Sequence, residues 1–187
     1  MAKSWNILNW NVRGLNDDKK HTAIANIEQA ACSILCLQET KRELFDSNYL
    51  RNFFPRQLNE FDYVPSVGAS GGLLVVWNDH LFSGTTIEKT AYSISIEFTS
   101  KHNGDNWILT TVYGHCQHSD RLNFLDWFQS VNILDFTNWM APGDFNYIRY
   151  PQDRNREGGN VQDMLAFNEA ISQLALIEVP LKGRSYT

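Results

Sequence analysis

The N-terminal part of the chain alternates between strand-like and helix-like patterns, and this alternation restricts the fold more than any other feature. Residues 5–12 are predicted to form a strand, and residues 23–31 place Ala and Ile at helical spacing. Residues 33–37 then form a short apolar run, which is typical of a buried strand. Either Asp17 or Asp18 is suited to cap the helix. A strand, a helix and a strand so close together favour a βαβ unit with parallel strands.

The same alternation continues to the C-terminus. Strands are predicted at 61–66, 73–77, 82–90, 92–98 and 107–113, and helices over 44–54, 119–134 and 164–174. Segments 82–90 and 92–98 alternate apolar and polar residues, as half-buried strands do. Asn103-Gly104 favours a tight type I′ hairpin turn. No linker-like segment divides the chain, so we predict one domain over residues 1–187, an α/β sandwich of mixed sheets.

The stretch Pro142-Gly143-Asp144-Phe145-Asn146 organises the prediction of function. Residues 136–141 are predicted to form a short buried strand that Pro142 and Gly143 end. In extended backbone, residues i and i+2 point the same way, so Asp144 and Asn146 would lie together at the end of a sheet. Open α/β sheets place their chemistry there. An Asx-rich turn explains the same residues equally well.

Other predicted strands also end in polar residues that packing does not explain. The set is Asn11, Glu39, Tyr113, Asp144 and Asn146. Magnesium takes oxygen ligands, commonly one or two carboxylates with water and substrate phosphate, and Glu39 suits that role. The neutral amides and the phenol could position a phosphodiester without adding repulsion. Together these residues are more specific than any one of them.

The formal net charge of −5 provides no global field that would attract nucleic acid, so DNA binding requires a local basic patch. The candidates follow predicted strands or lie in loops: Lys41, Arg42, Arg149, Arg154, Arg156, Lys182 and Arg184. The alternative is scattered, solvated charge. Three irregularly spaced cysteines indicate reduced thiols in an intracellular protein. No apolar run has the length of a membrane span, so no membrane partner is predicted.

Several motifs resemble the endonuclease/exonuclease/phosphatase superfamily, and most closely the apurinic-endonuclease-like endonuclease domain of plant LINE-type, non-LTR retrotransposons. The motifs are 10–15 (WNVRGL), 37–41 (LQETK), 70–74 (SGGLL), 112–114 (VYG), 143–146 (GDFN), 154–156 (RNR), 167–168 (FN) and 181–187 (LKGRSYT). They occur in the expected order over nearly the whole chain. Arg13 departs from the pattern, because repair-type relatives carry an acid there.

The resemblance implies a four-layer α/β sandwich of two mixed sheets with outer helices, which hydrolyses a phosphodiester bond in double-stranded DNA. Glu39 would bind Mg²⁺, with Mn²⁺ as the alternative ion, and Asn11 would lie beside it. Asp144 would orient or activate the attacking water, while Tyr113 and Asn146 would hold the scissile phosphate. The nick would leave a 3′-hydroxyl that primes reverse transcription in the nucleus, by a reverse transcriptase encoded downstream.

The family pattern also continues beyond Thr187, to further strands and a Ser-Asp-His segment. We therefore expect the second sheet to be incomplete, this chain to show little or no nicking, and exposed sheet surface to favour a homodimer. Two other functions are compatible with the residues. One is a non-catalytic DNA-binding or assembly fragment, and the other is a phosphatase of the same superfamily acting on a small phosphoester.

Overall fold

A computed structural model describes residues 5–27, 31–68, 70–114, 118–132, 138–154 and 158–180. The chain divides into two compact units. The first comprises Met1–Tyr113 with Leu134–Asp144, and the second comprises Gly114–Ile133 with Phe145–Thr187. In the described ranges, no helix combines the length and apolar character needed to cross a membrane.

The first unit begins with a four-stranded mixed sheet in the order β1-β2-β4-β3. Its strands are β1 (Asn6–Asn11), β2 (Cys32–Gln38), β3 (Glu60–Val64) and β4 (Leu73–Trp77). β1 and β2 are parallel and are joined through helix α1 (Asp18–Ala25), so the predicted βαβ unit is confirmed. The side chain of Asp17 caps α1 by accepting a hydrogen bond from the Lys19 backbone N–H. A short helix, α2 (Ser47–Arg51), precedes β3.

A second mixed sheet completes the first unit. It contains β5 (Phe82–Lys89), β6 (Ser93–Ser100) and β7 (Asn106–Tyr113), which are antiparallel neighbours in that order. Two short strands, β8 (Trp139–Met140) and β9 (Gly143–Asp144), both pair parallel with β7. The predicted α/β class with two mixed sheets is therefore confirmed.

Two apolar cores explain why β2 and β4 are buried along their whole length. Ile34 and Cys36 of β2 pack into the core between the two sheets. Leu35 and Leu37 face the other way, into a core that includes Ile24 of α1 and Leu50 of α2. Alternate residues of a strand point to opposite faces, so a strand covered on both faces is apolar in its centre, and in β2 the polar Ser33 and Gln38 lie near its two ends.

Three local predictions were wrong. In the predicted strand 136–141, residues 136 and 137 lie outside the described ranges, and only residues 139–140 pair as a strand. Met140 is 46% exposed, so this strand is not buried as predicted. β6 is buried at six of its eight positions instead of alternating: Ile94 and Ile96 pack into the core between the sheets, and Ser93 and Ser95 on the opposite face are buried too. Five residues connect β6 to β7, and Gly104 has a positive φ of 77° whereas Asn103 does not, which excludes the type I′ turn.

The second unit contains helices α3 (His118–Ser130) and α4 (Val161–Gln173). Asn160 caps α4 by accepting hydrogen bonds from the backbone N–H groups of residues 162 and 163. The Arg121 guanidinium joins the two helices through a 2.9 Å ion pair with Asp163, and it lies 4.1 Å from the centre of the Tyr147 ring. Aromatic side chains fill the interior of this unit: Phe124, Phe128, Phe145, Tyr147 and Phe167.

Candidate active site

The loops that follow β1 and β2 are tied to each other beyond the ends of the strands. The hydrogen bonds are Val12 N to Gln38 O (3.0 Å), Gly14 N to Glu39 O (2.7 Å) and Leu15 N to Thr40 O (3.1 Å). The loop before β4 joins them through Thr40 N to Gly72 O and Lys41 N to Gly71 O, both 3.1 Å. The backbone at this sheet edge is therefore held by paired hydrogen bonds, as within the sheet.

Three non-glycine residues of these loops have left-handed backbone. The φ angles are 52° at Arg13, 52° at Glu39 and 54° at Lys41. Each such residue costs about 1–2 kcal/mol relative to the right-handed region, a cost that the hydrogen bonds across the loops offset. Such conformations concentrate at functional sites, because they direct side chains where a regular strand would not.

The side-chain amide of Asn11 connects the two carboxylates of the predicted site. Its Nδ2 donates to Glu39 Oε1 and to Asp144 Oδ2, each at 2.8 Å. Its Oδ1 accepts from the Arg13 backbone N–H at 3.1 Å, which fixes the orientation of the amide. We call Asn11, Glu39 and Asp144 the acidic centre. Its three residues come from the carboxyl ends of two parallel strands and from a third strand far away in sequence.

Asp144 reaches the acidic centre because β9 lies against β7. A Cβ atom at Gly143 would lie 2.1 Å from the carbonyl oxygen of Val112, so a side chain there would force the strands apart. The Pro142 carbonyl accepts from the Val112 N–H at 3.0 Å. Pro142 and Gly143 therefore do not end the pairing as predicted, and Asp144 belongs to the strand itself.

Tyr113 is the residue opposite Asp144 in the register of β7 and β9. Its side chain packs with the core between the sheets, and only 7% of the residue is exposed. The predicted role of its phenol, to hold a scissile phosphate, stays a prediction.

Asn146 belongs to the second unit. Its φ of 54° removes the extended geometry on which the predicted i, i+2 pairing with Asp144 depended. Its Nδ2 donates to the Gly114 carbonyl at 2.6 Å, and its own carbonyl accepts from Arg121 at 2.8 Å. The acidic centre, where Glu39 and Asp144 meet, is therefore defined without Asn146. The role of Asn146 in binding phosphate stays a prediction.

The predicted DNA-binding residues differ in how far their charges are already paired. Lys41 Nζ lies 3.9 Å from Glu39 Oε2, at the acidic centre. Arg149 is engaged inside the second unit, where it donates to Asn168 Oδ1 (2.8 Å) and to Glu178 Oε2 (2.6 Å). Arg154 donates to the Gly158 carbonyl at 3.4 Å. Arg156 and Arg184 lie outside the described residues.

The donor set of the acidic centre fits a hard divalent cation. It offers two carboxylates and an amide oxygen, and magnesium sites commonly take one or two carboxylates and complete the shell with water and phosphate. Within the described ranges, no group of three or more His, Cys, Asp or Glu side chains is placed to hold a metal ion. Two carboxylates and one amide oxygen are a ligand set for an open site, in which water and substrate phosphate would complete the shell.

Sequence reasoning missed the contribution of Gly72. A Cβ atom there would lie 2.3 Å from Thr40 Oγ1, and its φ is 88°. Gly72 therefore allows the loop before β4 to approach residues 39–41 closely. The motif 70–74 (SGGLL) places two adjacent glycines before a buried strand, and such a pair also indicates close backbone approach.

The fold and the site define a class of protein: an α/β sandwich of two mixed sheets, with polar residues gathered where the parallel strands end. Solved structures with the same fold include the AP endonuclease LMAP from Leishmania major, with 16% identity and a TM-score of 0.64 over 90% of this chain and 66% of that chain. The endonuclease domain of TRAS1, a telomere-specific non-LTR retrotransposon, is 11% identical, with a TM-score of 0.64 over 91% of this chain and 72% of that one.

A third similar structure is the mannosyl-6-phosphatase Bt3783 from Bacteroides thetaiotaomicron, with 14% identity and a TM-score of 0.57 over 89% of this chain and 70% of that one. No protein-family model and no curated protein sequence matches the chain. These likenesses show that the chain shares the fold of these structures. The chain spans about two thirds of the length of the LMAP structure.

Proposed function

We propose that this chain has the function of a metal-dependent DNA endonuclease domain, which nicks target DNA for a retroelement. The observation that carries the proposal is the Asn11 amide, which holds Glu39 and Asp144 at 2.8 Å each. Two carboxylates brought together by one neutral donor form a site of concentrated negative charge. Such a site is suited to a divalent cation and to the activation of water.

In this proposal Glu39 holds Mg²⁺ or Mn²⁺, and the ion supplies Lewis-acid stabilisation of the charge that develops on the phosphate. Asn11 sets the direction of both carboxylates, and its oxygen, which has two lone pairs, would serve as a further ligand while it still accepts from the Arg13 N–H. Asp144 accepts a hydrogen bond from the attacking water and orients it. Tyr113 and Asn146 hold the phosphate, as the sequence resemblance implies.

The fold shared with the TRAS1 endonuclease domain supports the retroelement context. In that context the nick leaves a 3′-hydroxyl, reverse transcription begins from it in the nucleus, and the reverse transcriptase is encoded downstream. Lys41 is the predicted DNA-binding residue whose ammonium group lies at the acidic centre. A homodimer would appear in light scattering as twice the chain mass of 21.5 kDa.

The first test of the proposal is whether the chain binds a divalent ion through Glu39. Mn²⁺ titration followed by electron paramagnetic resonance should show one site in the chain, and Glu39→Gln should weaken it at least tenfold. The matched control is Glu60→Gln. Glu60 is exposed and pairs with Trp77, at the end of β4 opposite Gly72. Equal Mn²⁺ affinity in Glu39→Gln and the control would refute Glu39 as a ligand.

Catalysis is tested by nicking of supercoiled plasmid in Mg²⁺, with the 187-residue chain and with the product of the whole gene side by side. Asp144→Asn should abolish nicking wherever the parent protein shows it, and Glu60→Gln should not. The fold shared with Bt3783 makes phosphatase activity the second candidate function. Release of phosphate from sugar phosphates without any nicking would favour it, and DNA binding without either activity would favour a non-catalytic fragment.

A further inference from the structure

The backbone of Arg13 adjoins the acidic centre, since its N–H donates to Asn11 Oδ1, and no carboxylate in the described ranges forms an ion pair with its side chain. Its side chain is exposed, and within the described ranges it makes no ion pair, hydrogen bond or ring contact. The other cations nearby are engaged. Lys41 faces Glu39 at 3.9 Å, and the Arg42 guanidinium lies 3.7 Å from the centre of the Tyr49 ring. Within the described ranges, the Arg13 guanidinium therefore has no partner among the protein's own side chains.

The backbone keeps Arg13 in place at a cost. Its φ is 52°, a conformation that an arginine adopts rarely, although glycine follows it immediately. Two hydrogen bonds hold this turn: the Arg13 N–H donates to Asn11 Oδ1 (3.1 Å), and the Gly14 N–H donates to the Glu39 carbonyl (2.7 Å). Arg13 is therefore tied to the two residues proposed to hold the metal.

A second positive charge lies alongside. A Cβ atom at Gly14 would be 3.5 Å from Cδ of Lys41, so the Lys41 side chain runs past the turn that carries Arg13. The Glu39 carboxylate faces Lys41 and accepts from the Asn11 amide, and Asp144, the second carboxylate of the acidic centre, accepts from the same amide. In the proposed function these two carboxylates serve the metal and the attacking water. A phosphate of the substrate is the anion left for Arg13 to bind.

We propose that Arg13 binds a backbone phosphate of DNA next to the phosphate that occupies the acidic centre. The inference rests on the proposed function and names its substrate class, a polynucleotide and not a phosphomonoester. The planar guanidinium matches two phosphate oxygens at once, which an ammonium group cannot do. A substrate with one phosphate fills only the acidic centre, whereas a polynucleotide also reaches Arg13.

The test is binding of a fluorescent duplex oligonucleotide to the chain in Ca²⁺, a hard divalent cation that would let a phosphate approach the two carboxylates, followed by anisotropy at several salt concentrations. Loss of one phosphate contact lowers the slope of log K against log salt by about 1. We expect this change in Arg13→Gln, together with a roughly tenfold loss of affinity. The control is Arg56→Gln. Arg56 is exposed and precedes Asn59, whose N–H donates to the Trp77 carbonyl, so it lies at the opposite end of the first sheet from the acidic centre.

Competition measurements then test the substrate class. In the parent chain a thymidine dinucleotide with two phosphates should displace the duplex about tenfold better than thymidine monophosphate, and Arg13→Gln should lose this preference. Arg13→Lys should keep the salt slope and recover part of the affinity. The melting temperature of Arg13→Gln should match that of Arg56→Gln, because both side chains are exposed.

Identical affinity and slope in Arg13→Gln and Arg56→Gln would overturn the inference, as would an absence of DNA binding by the parent chain. Mn²⁺ titration of the same samples reports on the acidic centre separately. If the chain binds Mn²⁺ through Glu39 but Arg13→Gln leaves its DNA affinity unchanged, the proposed function is retained and only this inference is refuted.

Discussion

Replacing Asn11 by Leu should destabilise the metal-free protein substantially, although the two side chains have similar size. The change removes two hydrogen bonds donated to carboxylates, each 2.8 Å long, at a partly buried position. A hydrogen bond to a charged group contributes about 1.5–3 kcal/mol, and the lower value applies because solvent reaches the site. The 18% exposure of the Glu39 side chain shows that access. We therefore expect a loss of about 3 kcal/mol, with a fall in melting temperature of about 6–12 °C.

The assay is urea unfolding in the presence of EDTA, so that no ion compensates the carboxylates. Asn16→Leu is the control, because Asn16 is exposed and its substitution should change the free energy of unfolding by less than about 0.5 kcal/mol. A double-mutant cycle with Asp144→Asn should give a coupling energy of about 1 kcal/mol, since the two residues are in direct contact. A loss for Asn11→Leu below about 1 kcal/mol, or a coupling energy of zero, would show that the amide does not hold the two carboxylates together.

Three further predictions concern the first unit. Burial raises the pKa of Asp62, but hydrogen bonds from Lys89 and a neighbouring hydroxyl outweigh it and leave that pKa below its ordinary value. The stabilisation from Asp62 is therefore complete above the pKa of an unfolded Asp and is lost as pH falls through the folded pKa; the stability gap between the parent and Asp62→Asn, measured by urea unfolding, should shrink between pH 7 and pH 3. Gly72→Ala should cost about 2–4 kcal/mol in the same assay and Gly71→Ala only about 1–2, because both have positive φ but only Gly72 lacks space for a Cβ atom; equal losses would contradict this. Burial raises the pKa of the Cys36 thiol to about 12, so iodoacetamide at pH 8 should modify it only in denaturant, as peptide mass mapping would show.

Much of the first unit could be predicted because its signals are local. The apolar run 33–37 follows from the neighbours of one segment, and a parallel βαβ unit then places Asn11 beside Glu39. The helix before it was predicted, but it ends at Ala25, so Ile27 and Ala31 of the predicted apolar face lie beyond it. The capping residue Asp17 is also a local matter, since its side chain bonds a backbone group two residues away. The chain could not show in the same way that β6 is buried on both faces. The first sheet covers the face of Ile94, Ile96 and Phe98, whereas Ser95 on the opposite face is paired with the Thr110 hydroxyl of β7 at 2.9 Å, and neither contact can be predicted from residues 93–100 alone.

The sequence by itself determined which side chains are available at the strand ends: a carboxylate after β2, an amide after β1 and a second carboxylate in residues 143–146. The tertiary structure decided which of them meet. Asp144 reaches Asn11 because Gly143 lets β9 pair closely with β7, a contact between segments far apart in the chain. The left-handed backbone at Arg13 and Asn146 could not be predicted from the sequence either, because hydrogen bonds with distant residues hold each conformation against its local cost. The sequence specifies the chemistry of each side chain, whereas the direction in which a side chain points depends on partners that only folding brings near.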